Sequence, residues 1–309
     1  MACRPLFPLR RAGRLVAVAS AVTVGLLVAG CGADVTGALA RPGVVDVVAG
    51  ENVWGDIAAQ IGGSHAVVTS IITSPTADPH LYQSDAADAV SIAAARIVIL
   101  NGAGYDDFMT QLLGASGTHP IVVSAEKVLG VGGANPNPHF WYDIPKVPAV
   151  AAAIEAALAR AEPSSAALFR RNLATFDASL RPVLAVLSTI KARYPGAPVA
   201  YTERVPAYLL AAAGLRSLTP PGFATAIESG NDPSLADTEA MYSLIARRAI
   251  KVLLYNTQTT SAVTAHVRAL AAQAGIPVVG VSEILPSADG SFQAWQLVQA
   301  RALLTALGR

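Results

Sequence analysis

VVDVVAGENVWGDIAAQIGG, residues 44–63, begins as an apolar run and passes into a helical stretch near Val53–Ile61. VVTSII (67–72) follows at once as a second strand. Strand, helix and strand in immediate succession predict a parallel sheet covered on both faces. Downstream the rhythm repeats: a helix over Ser84–Ala95, the strand RIVILNG (96–102), a helix over Asp106–Leu113 and the strand PIVVSA (120–125).

Residues 145–193 break that alternation with two helical stretches and no strand, parted at Glu162-Pro163-Ser164-Ser165, where serine is placed to cap the second helix. Almost thirty residues of helix span roughly 45 Å at the usual rise per residue. That is long enough to run along two lobes, and Pro182 inside it predicts a kink. Alternation then resumes with PVAYT (198–202), helices over Pro206–Ala213 and Leu235–Ala246, KVLLYN (251–256), a helix over Ala262–Ala274, PVVGVS (277–282) and a terminal helix over Phe292–Leu307. The expected fold is α/β: two lobes with parallel sheets joined by a long backbone helix, and a site in the cleft between them. The lobes are expected over 44–144 and 195–309, the linking helices over 145–194, and each lobe is expected to hold its own core.

Upstream, residues 1–30 carry Arg4, Arg10, Arg11 and Arg14 with no acidic residue, then the apolar run LVAVASAVTVGLLVAG. The run is shorter than the about 20 residues of a membrane span and reads as a cleaved export signal. Its ending, VAGC, resembles a bacterial lipobox. That resemblance implies cleavage before Cys31, lipidation of Cys31 and attachment to the outer face of the cell membrane by acyl chains alone, with residues 31–43 as a tether. Removing four arginines from 22 basic residues leaves 18 against 21 acidic ones, a net charge near −3. A mildly acidic body argues against a nucleic-acid partner. On that reading Cys3 would depart with the signal and Cys31 would be lipidated, so any metal site must be built from histidine and oxygen.

Four such residues fall just past strand ends, where open α/β sheets bind ligands. They are His80, in ADPHLY (77–82) after VVTSII; His139, in PNPHFWYD after PIVVSA; Glu203, directly after PVAYT; and Glu283, directly after PVVGVS. Taken singly, each has a duller reading: a loop histidine is most often a surface residue, and a glutamate at a helix start is favoured by the helix dipole alone. Their common placement lifts them above it.

ENVWGDIAAQIGG, DPHLY, the Asn-Gly turn at 101–102, NPHFWYD, the long helix, YTERVPAYLLAAAGL, NDPSLAD (231–237), LLYNTQTTS and GIPVVGVSEILP together resemble the cluster A-I solute-binding proteins of ABC transporters, which capture zinc or manganese outside the cytoplasmic membrane. The resemblance covers nearly all of 44–309, in order. It implies a non-enzymatic monomer that carries one divalent ion, Zn²⁺ or Mn²⁺, to an ABC permease. It also implies His80, His139, Glu203 and Glu283 as the ligands. Three positions depart from the family pattern: Glu283 where aspartate is usual, Asn137 where aspartate is common before the second Pro-His, and Asp232 where glutamate often precedes Pro-Ser. Two imidazoles and two carboxylates neutralise a divalent cation and suit either metal. A secreted metal-dependent hydrolase would need an open coordination position and a general base, and no HExxH is present. A surface adhesin of the same fold would keep its partner after loss of both histidines. A binding protein for organic iron complexes would need a roomy aromatic cleft, yet aromatics make up 6% of the chain.

Overall fold

The computed structural model describes residues 43–76 and 78–309; the expected signal, Cys31 and nearly all of the tether lie outside them. The first half runs β1 (Val45–Glu51), α1 (Asn52–Gly62), β2 (Ala66–Ile72), α2 (Ala86–Ala94), β3 (Ile97–Leu100), α3 (Asp107–Ser116), β4 (Ile121–Ser124) and the short α4 (Ala125–Leu129). Its strands form a wholly parallel sheet in the order β2-β1-β3-β4. All four residues of β3, Ile-Val-Ile-Leu, are buried, as a central strand covered on both faces requires.

Three helices follow, α5 (Val147–Ala161), α6 (Ala166–Ser179) and α7 (Arg181–Arg193). The second half runs β5 (Pro198–Tyr201), α8 (Ala207–Ala212), β6 (Arg216–Ser217), α9 (Pro221–Glu228), α10 (Leu235–Ala246), β7 (Val252–Asn256), α11 (Ala262–Gln273), β8 (Val278–Val281) and α12 (Phe292–Leu307). Its parallel sheet has the order β6-β5-β7-β8, the same permutation as the first. In both sheets successive connections leave in opposite directions on either side of a central strand pair, β1/β3 and β5/β7. The crevice beyond the carboxyl ends of such a pair is where α/β sheets take ligands.

The two-lobed α/β architecture with its long connecting helical path is therefore as the alternation predicts, with α4, β6 and α9 as elements it does not anticipate. The long helical path from α6 to α7 is interrupted at Leu180, and Pro182 lies in the first turn of α7. Proline has no N–H for the carbonyl of Ala178 and its ring crowds that carbonyl, so the helix restarts there. Ser165 occupies the N-cap of α6 but does not cap it; its hydroxyl meets His65 Nδ1 at 3.0 Å. Finally, the lobes do not have separate cores. One apolar cluster runs from Val47 and Trp54 through Ile154, Phe176 and Leu187 to Val199, Leu254 and Trp295, joining both sheets through the connecting helices. Smaller clusters lie beneath α9–α11 and between α2 and α3.

Candidate metal centre

His80 and His139 are presented by two turns of the same construction. In Asp78-Pro79-His80 the aspartate Oδ1 accepts the backbone N–H of His80 at 2.9 Å. In Asn137-Pro138-His139 the asparagine Oδ1 accepts the backbone N–H of His139 at 3.2 Å. An Asx side chain two residues before the histidine closes the turn and proline fixes the middle residue, which explains the matched Pro-His contexts. Asn137 does more than Asp78. Its Oδ1 also lies 2.7 Å from His139 Nδ1, and its Nδ2 donates to the Arg204 carbonyl at 2.9 Å. Donation from Nδ1–H to Asn137 leaves Nε2 as the ring nitrogen turned toward Glu283, the one a cation would take once its proton is displaced. The amide donation to Arg204 is one that the aspartate common at this position could not make.

Both imidazoles converge on one oxygen. Glu283 Oε2 lies 3.1 Å from His139 Nε2 and 3.3 Å from His80 Nε2, and accepts the Tyr105 hydroxyl at 2.9 Å. His139 and Glu283 are fully buried, whereas the His80 side chain is 17% exposed. These three residues form the one tight group of potential metal ligands among the described residues. Glu203 stands beside that group rather than in it. It is buried, its Oε2 accepts from Asn256 Nδ2 at 3.0 Å, and its Oε1 has no hydrogen-bond partner among the described residues. A buried carboxylate oxygen left without a donor is costly unless a cation or proton satisfies it.

Electrostatics follow from this packing. Burial opposes charge on His80, but the adjacent Glu283 carboxylate outweighs it and pushes the imidazole up to about 9. Burial would raise Glu283, yet the His139 and His80 contacts hold it well below the usual carboxylate range. Glu203 is raised well above its ordinary value, by burial and then by the charge of Glu283. A divalent cation entering here would take the place of protons and supply the missing charge for both carboxylates.

Several supporting residues were not singled out from the sequence. Asn101 accepts from Trp54 Nε1 at 3.1 Å and donates to the Pro138 carbonyl at 2.8 Å, tying the Asn-Gly turn to the loop of His139. Tyr105 packs against both imidazoles and Trp141. Asn256 donates to Glu203 Oε2 and, at 2.7 Å, to Glu283 Oε1. Asn101 and Asn256 share a signal that could have found them: each sits at the carboxyl end of a central strand.

A family profile described as the periplasmic zinc-uptake complex component A matches residues 47–306. Among curated relatives, the chain is 23% identical over 154 residues to a manganese-binding lipoprotein, MntA, of Halalkalibacterium halodurans; that match takes in 49% of this chain and 51% of the relative, about half of its length. Among solved structures, the periplasmic zinc-binding protein TroA of Treponema pallidum superposes with a TM-score of 0.75 at 18% identity, covering 86% of this chain and 100% of that one. The solute-binding protein FpvC of Pseudomonas aeruginosa, solved with Mn²⁺, superposes with a TM-score of 0.72 at 20% identity, covering 86% and 98%. At such identities the superpositions establish the shared fold.

Proposed function

The chain belongs to the family of periplasmic zinc-uptake complex component A, and from that membership we propose that it captures one divalent transition-metal ion, Zn²⁺ or Mn²⁺, outside the cytoplasmic membrane and passes it to an ABC permease. The cation is cargo, not a resident catalytic group. His80, His139, Glu203 and Glu283 are the proposed donors, and the lipidated Cys31 the proposed anchor. The observation that carries this reading is the convergence of two imidazole Nε2 atoms and a buried carboxylate on one point at the mouths of two parallel sheets.

Each part of the donor set has a role that follows from its setting. The two Asx-Pro-His turns hold the imidazoles with little entropy left to lose on binding. Glu203 and Glu283 balance the charge of a divalent ion in a buried setting where an unpaired charge would not be tolerated. Tyr105 packs against both imidazoles and fixes Glu283 Oε2 by donating to it.

Metal analysis of protein purified without added metal, followed by titration of the chelator-stripped protein, tests the proposal. One Zn²⁺ or Mn²⁺ per chain is expected. His80→Ala/His139→Ala should abolish tight binding, and the double variant should lose little more than the worse single one, because donors to one ion are not additive. Full-affinity binding by the double variant overturns the assignment.

A further inference from the structure

Asn256 ends β7, buried beside the two glutamates, and its amide is oriented without ambiguity: Oδ1 accepts the Gln258 backbone N–H at 3.1 Å, so Nδ2 faces the carboxylates. Nδ2 lies 2.7 Å from Glu283 Oε1, 3.0 Å from Glu203 Oε2 and 3.2 Å from Thr259 Oγ1. An amide has two N–H bonds, and the two nearest acceptors are the carboxylates. One oxygen of each glutamate is thereby engaged. The oxygens that remain are Glu283 Oε2, already facing both imidazoles, and the unpartnered Glu203 Oε1.

We propose that Asn256 determines cation specificity: by holding one oxygen of Glu203 and one of Glu283, it restricts each carboxylate to a single donor atom and biases the site toward Zn²⁺ over Mn²⁺. This inference rests on the metal-capture reading above. Two imidazole nitrogens and two single carboxylate oxygens make a four-donor set of the kind Zn²⁺ adopts. Mn²⁺ favours more oxygen donors in six-coordinate surroundings, which here would require a carboxylate to chelate through both oxygens. Breaking an N–H···O⁻ bond in a buried setting to free the second oxygen is unfavourable, so the penalty falls on Mn²⁺ more than on Zn²⁺. Glutamate in place of the usual aspartate at 283 is consistent with this: its longer side chain reaches the amide with one oxygen and the imidazoles with the other.

Removing Nδ2 tests the role. In wild-type protein loaded with Co²⁺ as a spectroscopic stand-in for Zn²⁺, the visible spectrum should show the intense bands of a four-coordinate ion. Asn256→Ala should shift it toward the weaker bands of a five- or six-coordinate one. In competition titrations the Zn²⁺-over-Mn²⁺ affinity ratio should fall on the order of ten-fold in Asn256→Ala, in keeping with the cost of losing a residue that orients a ligand. A weak five- or six-coordinate Co²⁺ spectrum in the wild type overturns the proposal even if the variant does not fold. An unchanged spectrum and ratio in a folded Asn256→Ala overturns it as well, while leaving metal capture intact. Failure of the wild type to bind one Zn²⁺ per chain overturns metal capture itself, and the role of Asn256 with it.

Discussion

Glu283 Oε2 receives two imidazoles and a phenol, and that crowding sets how the site responds to protons. With His80 pushed up to about 9, the cation-free protein holds a proton there across the neutral range, so an incoming cation must displace it. From about one pH unit below that value downward, each ion bound should release close to one proton from His80, and affinity should weaken as pH falls. Calorimetry in buffers of different ionisation enthalpy counts that proton. For the stability of the stripped protein the two groups act with opposite signs. A raised His80 contributes stability fully present below its ordinary 6.5 and lost as pH rises through about 9. The lowered Glu283 contributes stability present above its ordinary 4.5 and lost as pH falls toward its depressed value. Asn137→Ala should weaken metal binding about 10–100-fold by releasing His139 Nδ1, with titration of the stripped variant as the check. The two histidines and two glutamates could be picked out as candidates because each comes between a strand and the next main helix, although α4 lies between β4 and His139. Tyr105 was not, since its partner Glu283 lies 178 positions along the chain and nothing local marks the pair.

At the scale of elements, α1 does unexpected work. Asn52, Asp56 and Gln60 stand four residues apart on one helical face and meet the second half of the chain. Asn52 exchanges two hydrogen bonds with the Leu285 backbone at 2.8 and 3.0 Å; Asp56 accepts the Phe292 N–H at 2.9 Å; Gln60 and Gln293 donate to each other at 3.0 Å. Asn52→Ala should lower stability by about 1–3 kcal/mol by stranding the Leu285 groups, measured by denaturant melting, and should leave the cation affinity of the native protein nearly unchanged. The strands could be read as short apolar runs and most helices from their spacing, without help from distant contacts. The two-residue β6 is too short to show a period, and α9 opens on Pro220-Pro221, which reads as a loop. The missed cap at Ser165 has a different cause: its hydroxyl is drawn to His65, 100 positions earlier, and local chemistry yields to tertiary contact.

For the whole molecule, the alternation of strands and helices made two lobes visible, but not that their interiors merge. Periodicity says which residues are buried, not against which partner, and the connecting helices turn Ile154, Phe176 and Leu187 into common ground for both sheets. The described body should therefore melt in one cooperative transition, with or without metal, since its core is complete from protein groups alone. Added Zn²⁺ should raise the melting temperature as the binding free energy, RT ln(1 + [L]/Kd), grows, and scanning calorimetry across metal concentrations reads this directly. The shared core and the α1 seam also bear on time. Of the four proposed donors only His80 is partly exposed, so the lifetime of a bound ion should be set by excursions of its short turn rather than by a parting of the halves. A chelator then waits for that turn, and its rate of capture should level off, however much chelator is supplied, at the turn's own opening frequency.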